Sequence, residues 1–181
     1  MSGNLDFSGS IEHDLTYSKV WLCQNLPRKK YKNVYVLGSW YGNTGIIMNF
    51  MGVDFDCVIN VDTDKNYCEK THTIYKLFGF DKKYKIVNKD CNLLDYYDAD
   101  LVINTSTNDI KFHDWFAIIP PGCTVAIQCR NNQPLAADMN KPATFDEFMT
   151  MFYMKTSVCA GKLTLLNQDE AYDRYMIIGV K

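Results

Sequence analysis

From Val34 onward the chain alternates short apolar runs with longer stretches of helical periodicity, and this alternation constrains the fold more than any other feature. The short runs, 34–37, 57–61, 85–88, 101–104 and 124–129, read as buried strands. Between them, 45–51, 65–78 and 112–118 read as helices, with a short turn at 93–97. A parallel crossover needs a helix to return the chain, so strands alternating with helices imply a parallel sheet covered on both faces. Pro120-Pro121-Gly122 marks a turn before the fifth strand. Two last runs, 162–166 and 174–180, are separated by Asn167-Gln168-Asp169-Glu170 and read as an antiparallel hairpin. The expected class is α/β: a doubly wound, mostly parallel sheet closed by that hairpin, in one domain.

The segment before the first strand reads as a helix opening after Ser10. Ser8 or Ser10 caps it, and Glu12 and Asp14 are well placed in its first turn. Ile11, Leu15, Leu22 and Leu26 keep a helical spacing, and Pro27 ends the run. This divides the chain into a helical segment, 1–32, packed on a core domain, 33–181. A further helix starts at Thr144, where Thr144 and Glu147 form a capping-box pattern.

A length of 181 residues with 47% hydrophobic and 22% charged side chains fits one folded domain rather than a disordered chain. The formal charge of -2 gives no electrostatic reason to expect nucleic-acid or anionic-membrane binding. Arg28, Lys29, Lys30 and Lys32 form a local basic run that reads as a solvated helix end. The 7 cysteines are odd in number with no C-x-x-C pair, and His13, His72 and His113 do not cluster with them. Reduced, buried thiols and no bound metal are expected. The polar, acidic amino terminus is unlike a secretory signal, and no apolar run approaches the ~20 residues that span a bilayer. A soluble, cytoplasmic protein is expected.

Ligands of doubly wound sheets sit at the carboxyl ends of the strands, where the winding reverses. The first strand is followed by Gly38, Ser39, Trp40, Tyr41, Gly42, Asn43, Thr44 and Gly45. Gly38 allows a sharp turn, Gly42 allows close approach of backbone to a ligand, and the next helix points free N–H groups at the same space. The second strand is followed by Asp62, 24 residues after Gly38, near the ~20 expected for a carboxylate that grips a ribose. Asp62, Thr63 and Asp64 equally suit a helix cap before Lys65. The third strand leads to Asp90, placed to accept from an exocyclic amine, and to the Cys91 N–H, or to a plain turn. The fourth leads to Asn104, Thr105 and Ser106, and the fifth, after Gln128, to Arg130 and Asn131.

VYVLGSWYG, INVDTD, NKDC, DADLVINTS and the closing hairpin together resemble the class I S-adenosylmethionine-dependent methyltransferases, with a Rossmann-like fold. The resemblance runs from about Asn33 to Lys181 and is to the small, stand-alone members found in bacteria and phages. It implies that Gly38, Ser39, Trp40, Tyr41 and Gly42 line S-adenosylmethionine and that Asp62 and Thr63 lie at its ribose. It also implies that Asp90 and Cys91 hold the adenine, and that Asn104 and Thr105 stand where the acceptor enters. The chain departs from the family in having Val36 in place of an acid two residues before the first glycine, and Trp40 in place of the second glycine. Trp40 either walls the pocket by stacking or packs against the amino-terminal helix.

Methyl transfer is an in-line displacement in which positioning does much of the work, and a base is needed only if the acceptor must lose a proton. His113 and Asp109 are the base candidates. N-T-S-T is not the N-P-P-Y pattern that receives a flipped base, so a small-molecule acceptor is expected and nucleic acid is disfavoured. Tyr17 or Tyr41 is expected to reach over the acceptor, and a homo-oligomer is compatible with the sequence. Two other classes stay open: a non-catalytic methyltransferase-like binding or partner subunit, and a nicotinamide-dependent oxidoreductase.

Overall fold

The computed structural model describes residues 13–111, 113–131, 142, 144–167 and 170–181. Ser8, Ser10, Ile11 and Glu12, named above for the first helix, lie outside them, as does Phe112. In chain order the elements are α1 (His13–Asn25), β1 (Tyr31–Leu37), α2 (Asn43–Phe50), β2 (Phe55–Asp62), α3 (Lys65–Leu77), β3 (Tyr84–Asn88) and β4 (Leu101–Asn104). They continue with α4 (Asp114–Ala117), β5 (Thr124–Arg130), α5 (Phe145–Met151), β6 (Thr156–Asn167) and β7 (Glu170–Val180).

Among the described residues seven strands form one sheet in the order β3-β2-β1-β4-β5-β7-β6. The first five run parallel, and β7 enters antiparallel between β5 and β6. The winding therefore reverses between β1 and β4, where a crevice opens at the carboxyl ends. Two apolar layers cover the sheet. On one face Val34, Val36, Val58, Leu101 and Ile103 pack with Leu22 and Leu26 from the α1 region, Met48 of α2 and Ile74 of α3. On the other, Leu37, Val61, Val102, Val125 and Ile127 pack with Trp115 and Phe116 of α4 and Phe148 of α5. Alternate residues of one strand thus serve opposite faces, as a strand buried on both sides requires.

Three sequence readings change in detail. The turn expected at 93–97 is instead one turn of 3-10 helix at Cys91–Leu93. It starts early because the Asp90 carboxylate accepts from the Asn92 N–H at 2.8 Å and tightens the chain directly after β3. The helix expected at 112–118 is the single turn α4. The hairpin strands are longer than their apolar cores, because β7 is paired on both edges and carries β6 with it, with Asn167 opposite Glu170. Thr144 caps α5 as its sequence indicates, completing a capping box with Glu147.

Candidate functional site

Strand register decides which loops meet. Leu37 lies opposite Val61 on one side and Asn104 on the other, so the Gly38 turn stands between Asp62 and Thr105. Gly38 has φ 57, and a Cβ there would lie 2.8 Å from the Ser106 Cβ. The Ser106 hydroxyl donates to the Gly38 carbonyl at 3.0 Å, which fixes the two loops together. Only glycine satisfies both the backbone and the approach.

Trp40 also has positive φ, 49°, the only such non-glycine residue among those described. That conformation costs about 1–2 kcal/mol for an L-residue and persists only where neighbours hold it. Here the Trp40 N–H donates to Asp62 Oδ2 at 2.9 Å, and its carbonyl accepts from the Thr71 hydroxyl at 2.7 Å. The indole stacks on Tyr67 of α3, with centroids 6.1 Å apart and planes 15° from parallel. Trp40 therefore keeps a backbone conformation that glycine favours while carrying an aromatic side chain.

Asp62 is buried, and its other oxygen accepts from the Asp64 N–H at 2.9 Å. Asp64, not Asp62, caps α3, accepting from the Asn66 N–H at 2.7 Å. The alternatives left open by sequence are separated: Asp62 braces the glycine loop and faces the crevice. Each carboxylate oxygen has roughly two acceptor sites, so both can accept once more.

Two cavities open at the strand ends. The larger, about 440 Å³, is lined on the β2–β3 side by Asp62, Thr63, Asp90, Cys91 and Asn92. The smaller, about 40 Å³, lies towards β5 and β7, among Ser39, Asn43, Thr44, Thr105, Asn108, Arg130 and Arg174, with Leu15 and Lys19 of α1. Gly38, Trp40, Ser106 and Asp109 form the wall that both share. Asp109 is exposed at this mouth; crowding by protein raises its pKa, opposed by the positive charges of Arg130 and Arg174.

Several expected site residues stand elsewhere. Tyr41 is buried in the core, edge-on to Tyr67 at 5.2 Å. Gly42 faces the interior: it has φ 73, and a Cβ would lie 2.2 Å from the Tyr75 hydroxyl oxygen. Its function is close packing rather than ligand approach. Asn104 is fully buried, and its Oδ1 accepts from the Ser106 N–H at 2.9 Å, so it shapes the loop from beneath. His113 packs edge-on to Phe152, and burial lowers its pKa. Gln128 is buried and donates to the Ser18 carbonyl at 2.7 Å, tying α1 to the sheet. None of these five lines either cavity, and neither does Tyr17, which is exposed on α1. Conversely Lys19, Asn92, Asn108 and Arg174 line them without having been anticipated as site residues. Asn108 lay in the NTSTND stretch after the fourth strand, and Arg174 was a charge within a strand apolar on both faces; both were usable signals.

No protein-family model matches the chain, and no curated protein matches it. Solved structures do. A geranyl diphosphate methyltransferase in complex with S-adenosylmethionine superposes with TM-score 0.66 at 12% identity, covering 90% of this chain and 84% of that one. The magnesium protoporphyrin IX methyltransferase of Synechocystis PCC 6803, with S-adenosylmethionine bound, gives 0.65 at 12%, covering 99% and 86%. An rRNA methylase from Streptococcus thermophilus gives 0.60 at 17%, covering 94% and 99%. The fold is that of the class I S-adenosylmethionine-dependent methyltransferases. The larger cavity lies on the side of the Gly38 turn bounded by the ends of β2 and β3, and the smaller on the side of β5 and β7. Among the described residues no three His, Cys, Asp or Glu side chains gather as a metal-ligand group, and no helix is long and apolar enough to cross a membrane.

Proposed function

We propose that the chain is an S-adenosylmethionine-dependent methyltransferase acting on a small-molecule acceptor. The observation that carries this is the Asp62 carboxylate, held at the carboxyl end of β2 beside the Gly38 turn and lining a cavity of about 440 Å³. That volume lies within the ~300–1,000 Å³ of small-molecule and cofactor sites. The residues present fit the cofactor: Asp62 keeps acceptor capacity for vicinal ribose hydroxyls, with Thr63 at the rim. Asp90 and Cys91 form the adenine end, and Gly38 and the Trp40 indole bound the methionine end, while Ser39 lines only the smaller cavity. When bound, S-adenosylmethionine supplies a methyl group on a sulfonium, open to displacement.

The chain's own residues then orient and shield. Trp40 closes one side of the wall between the cavities, and Ser106, braced by Asn104, fixes the other. Asp109 sits in that wall with a raised pKa and is the group placed to take a proton if the acceptor must lose one. His113, which lines neither cavity, does not serve there. Residues 33–181 form the catalytic domain, and the 1–32 segment contributes α1, which closes the acceptor side through Leu15 and Lys19. We place the protein in the cytoplasm.

The sheet order disfavours a nicotinamide enzyme, since dinucleotide-binding sheets continue in parallel where β7 here turns antiparallel. A thermal-shift panel of S-adenosylmethionine, S-adenosylhomocysteine, NAD and NADP tests the reading. A ligand at 100 times its dissociation constant stabilises by about 2.7 kcal/mol. Stabilisation by the two adenosyl sulfur compounds alone is expected; silence across the panel would favour a non-catalytic subunit.

A further inference from the structure

We propose that the smaller cavity binds the anionic group, a carboxylate or phosphate, of the methyl acceptor between Arg130 and Arg174. That the ligand is the acceptor rests on the methyltransferase reading; that it is an oxyanion rests on the geometry alone.

Arg130 on β5 and Arg174 on β7 are directly opposite in the antiparallel ladder, and both line the cavity. Like charges facing across a ladder destabilise a sheet. Arg174 is 2% exposed, and burying a charge is costly unless it is paired. Its Nη2 donates to the Thr105 carbonyl, but its Nε has no hydrogen-bond partner, and among the described residues no carboxylate forms an ion pair with it. Desolvation and the neighbouring Arg130 lower its pKa to about 10, so it stays charged at neutral pH.

Asn108 fixes the backbone of Arg130. Its N–H donates to Asn108 Oδ1 at 2.8 Å, its carbonyl accepts from Asn108 Nδ2 at 3.1 Å, and its guanidinium lies 5.3 Å over the Tyr172 ring. Lys19 of α1 and Asp109 line the same cavity. A buried guanidinium with an unpartnered Nε costs stability in the free protein, and an oxyanion accepting from that Nε relieves the cost, with the Arg130 charge directly across the ladder. A cavity of about 40 Å³ has room for roughly three waters or one compact charged group. It therefore takes a head group, and the rest of the acceptor lies in the mouth beside Asp109. The position separates this anion from the nucleoside: β5 and β7 are two and three strands from β1, away from β2 and β3.

The test is calorimetric titration of inorganic phosphate, and separately acetate, into protein saturated with S-adenosylhomocysteine in chloride buffer. At least one anion should bind one-to-one. Arg130→Gln should weaken it by about tenfold or more while leaving S-adenosylhomocysteine affinity within about twofold. Arg174→Met should abolish it, and if that variant does not fold, Arg130→Gln carries the test alone. Absence of anion binding to the wild type, or binding undiminished in Arg130→Gln, overturns the proposal. So does competition between the anion and S-adenosylhomocysteine, which would make the arginines a site for the cofactor's own carboxylate. If S-adenosylhomocysteine does not bind, the anions are titrated into the free protein. Binding lost in Arg130→Gln then upholds the oxyanion site while the methyltransferase reading alone fails.

Discussion

Replacing Asp62 with Ala should destabilise the protein even with no ligand present. The carboxylate accepts two backbone N–H bonds, from Trp40 and Asp64, each at 2.9 Å, and is 8% exposed. Hydrogen bonds to a charged partner are worth about 1.5–3 kcal/mol each. Both donors are partly accessible to water, so the low end applies, and a total of about 2–4 kcal/mol is expected. In addition, Trp40 loses the partner that holds its backbone at φ 49. For a chain of this length each kcal/mol shifts the Tm by about 2–4 °C, so Asp62→Ala should melt roughly 4–16 °C below the wild type. The cap of α3 survives in Asp64, so the unfolding transition should stay cooperative. Differential scanning calorimetry of the ligand-free proteins measures this. A Tm within about 2 °C of wild type would refute the bracing of the loop by Asp62.

Three further outcomes follow from the same geometry. Gly42→Ala should cost about 2 kcal/mol or more in denaturant melts, since the new Cβ meets the buried Tyr75 at 2.2 Å in a left-handed backbone; unchanged stability would show that the packing is looser. Trp40→Gly should be about 1 kcal/mol more stable than Trp40→Ala, because both lose the ring and only Ala keeps the strained backbone; the reverse order would contradict the positive φ. Burial holds the folded pKa of His113 below its ordinary value of 6.5, so below that pH the unfolded chain binds more protons and stability falls as pH falls. His113→Gln should flatten this slope between about pH 7 and pH 5 in urea melts, and an unaltered slope would place the titration elsewhere.

The alternation of apolar runs was enough to read the parallel sheet, because strands buried on both faces cannot hide their composition. The Gly38 turn and Asp62 were legible for a related reason: their strands are neighbours in both sequence and space. Other features were set by three-dimensional proximity that no local pattern encodes. Gly42 looked like a ligand glycine because nothing nearby in sequence shows that Tyr75 packs against it. Asn104 looked like a site residue because it ends a strand, yet it is the Ser106 N–H that claims its oxygen. The opposition of Arg130 and Arg174 depends on the register of a hairpin that returns from the far edge of the sheet. A charge amid an apolar strand was visible, but its partner across the ladder was not.

The most direct measurement of the central claim is a calorimetric titration of S-adenosylhomocysteine into the wild-type protein. One site per chain is expected, and Asp62→Asn, provided it remains folded, should bind about tenfold more weakly or worse, since an amide offers one acceptor oxygen where the carboxylate offers two. A flat titration of the wild type, or equal affinity in Asp62→Asn, would contradict the placement of the cofactor at the carboxyl ends of β1 and β2.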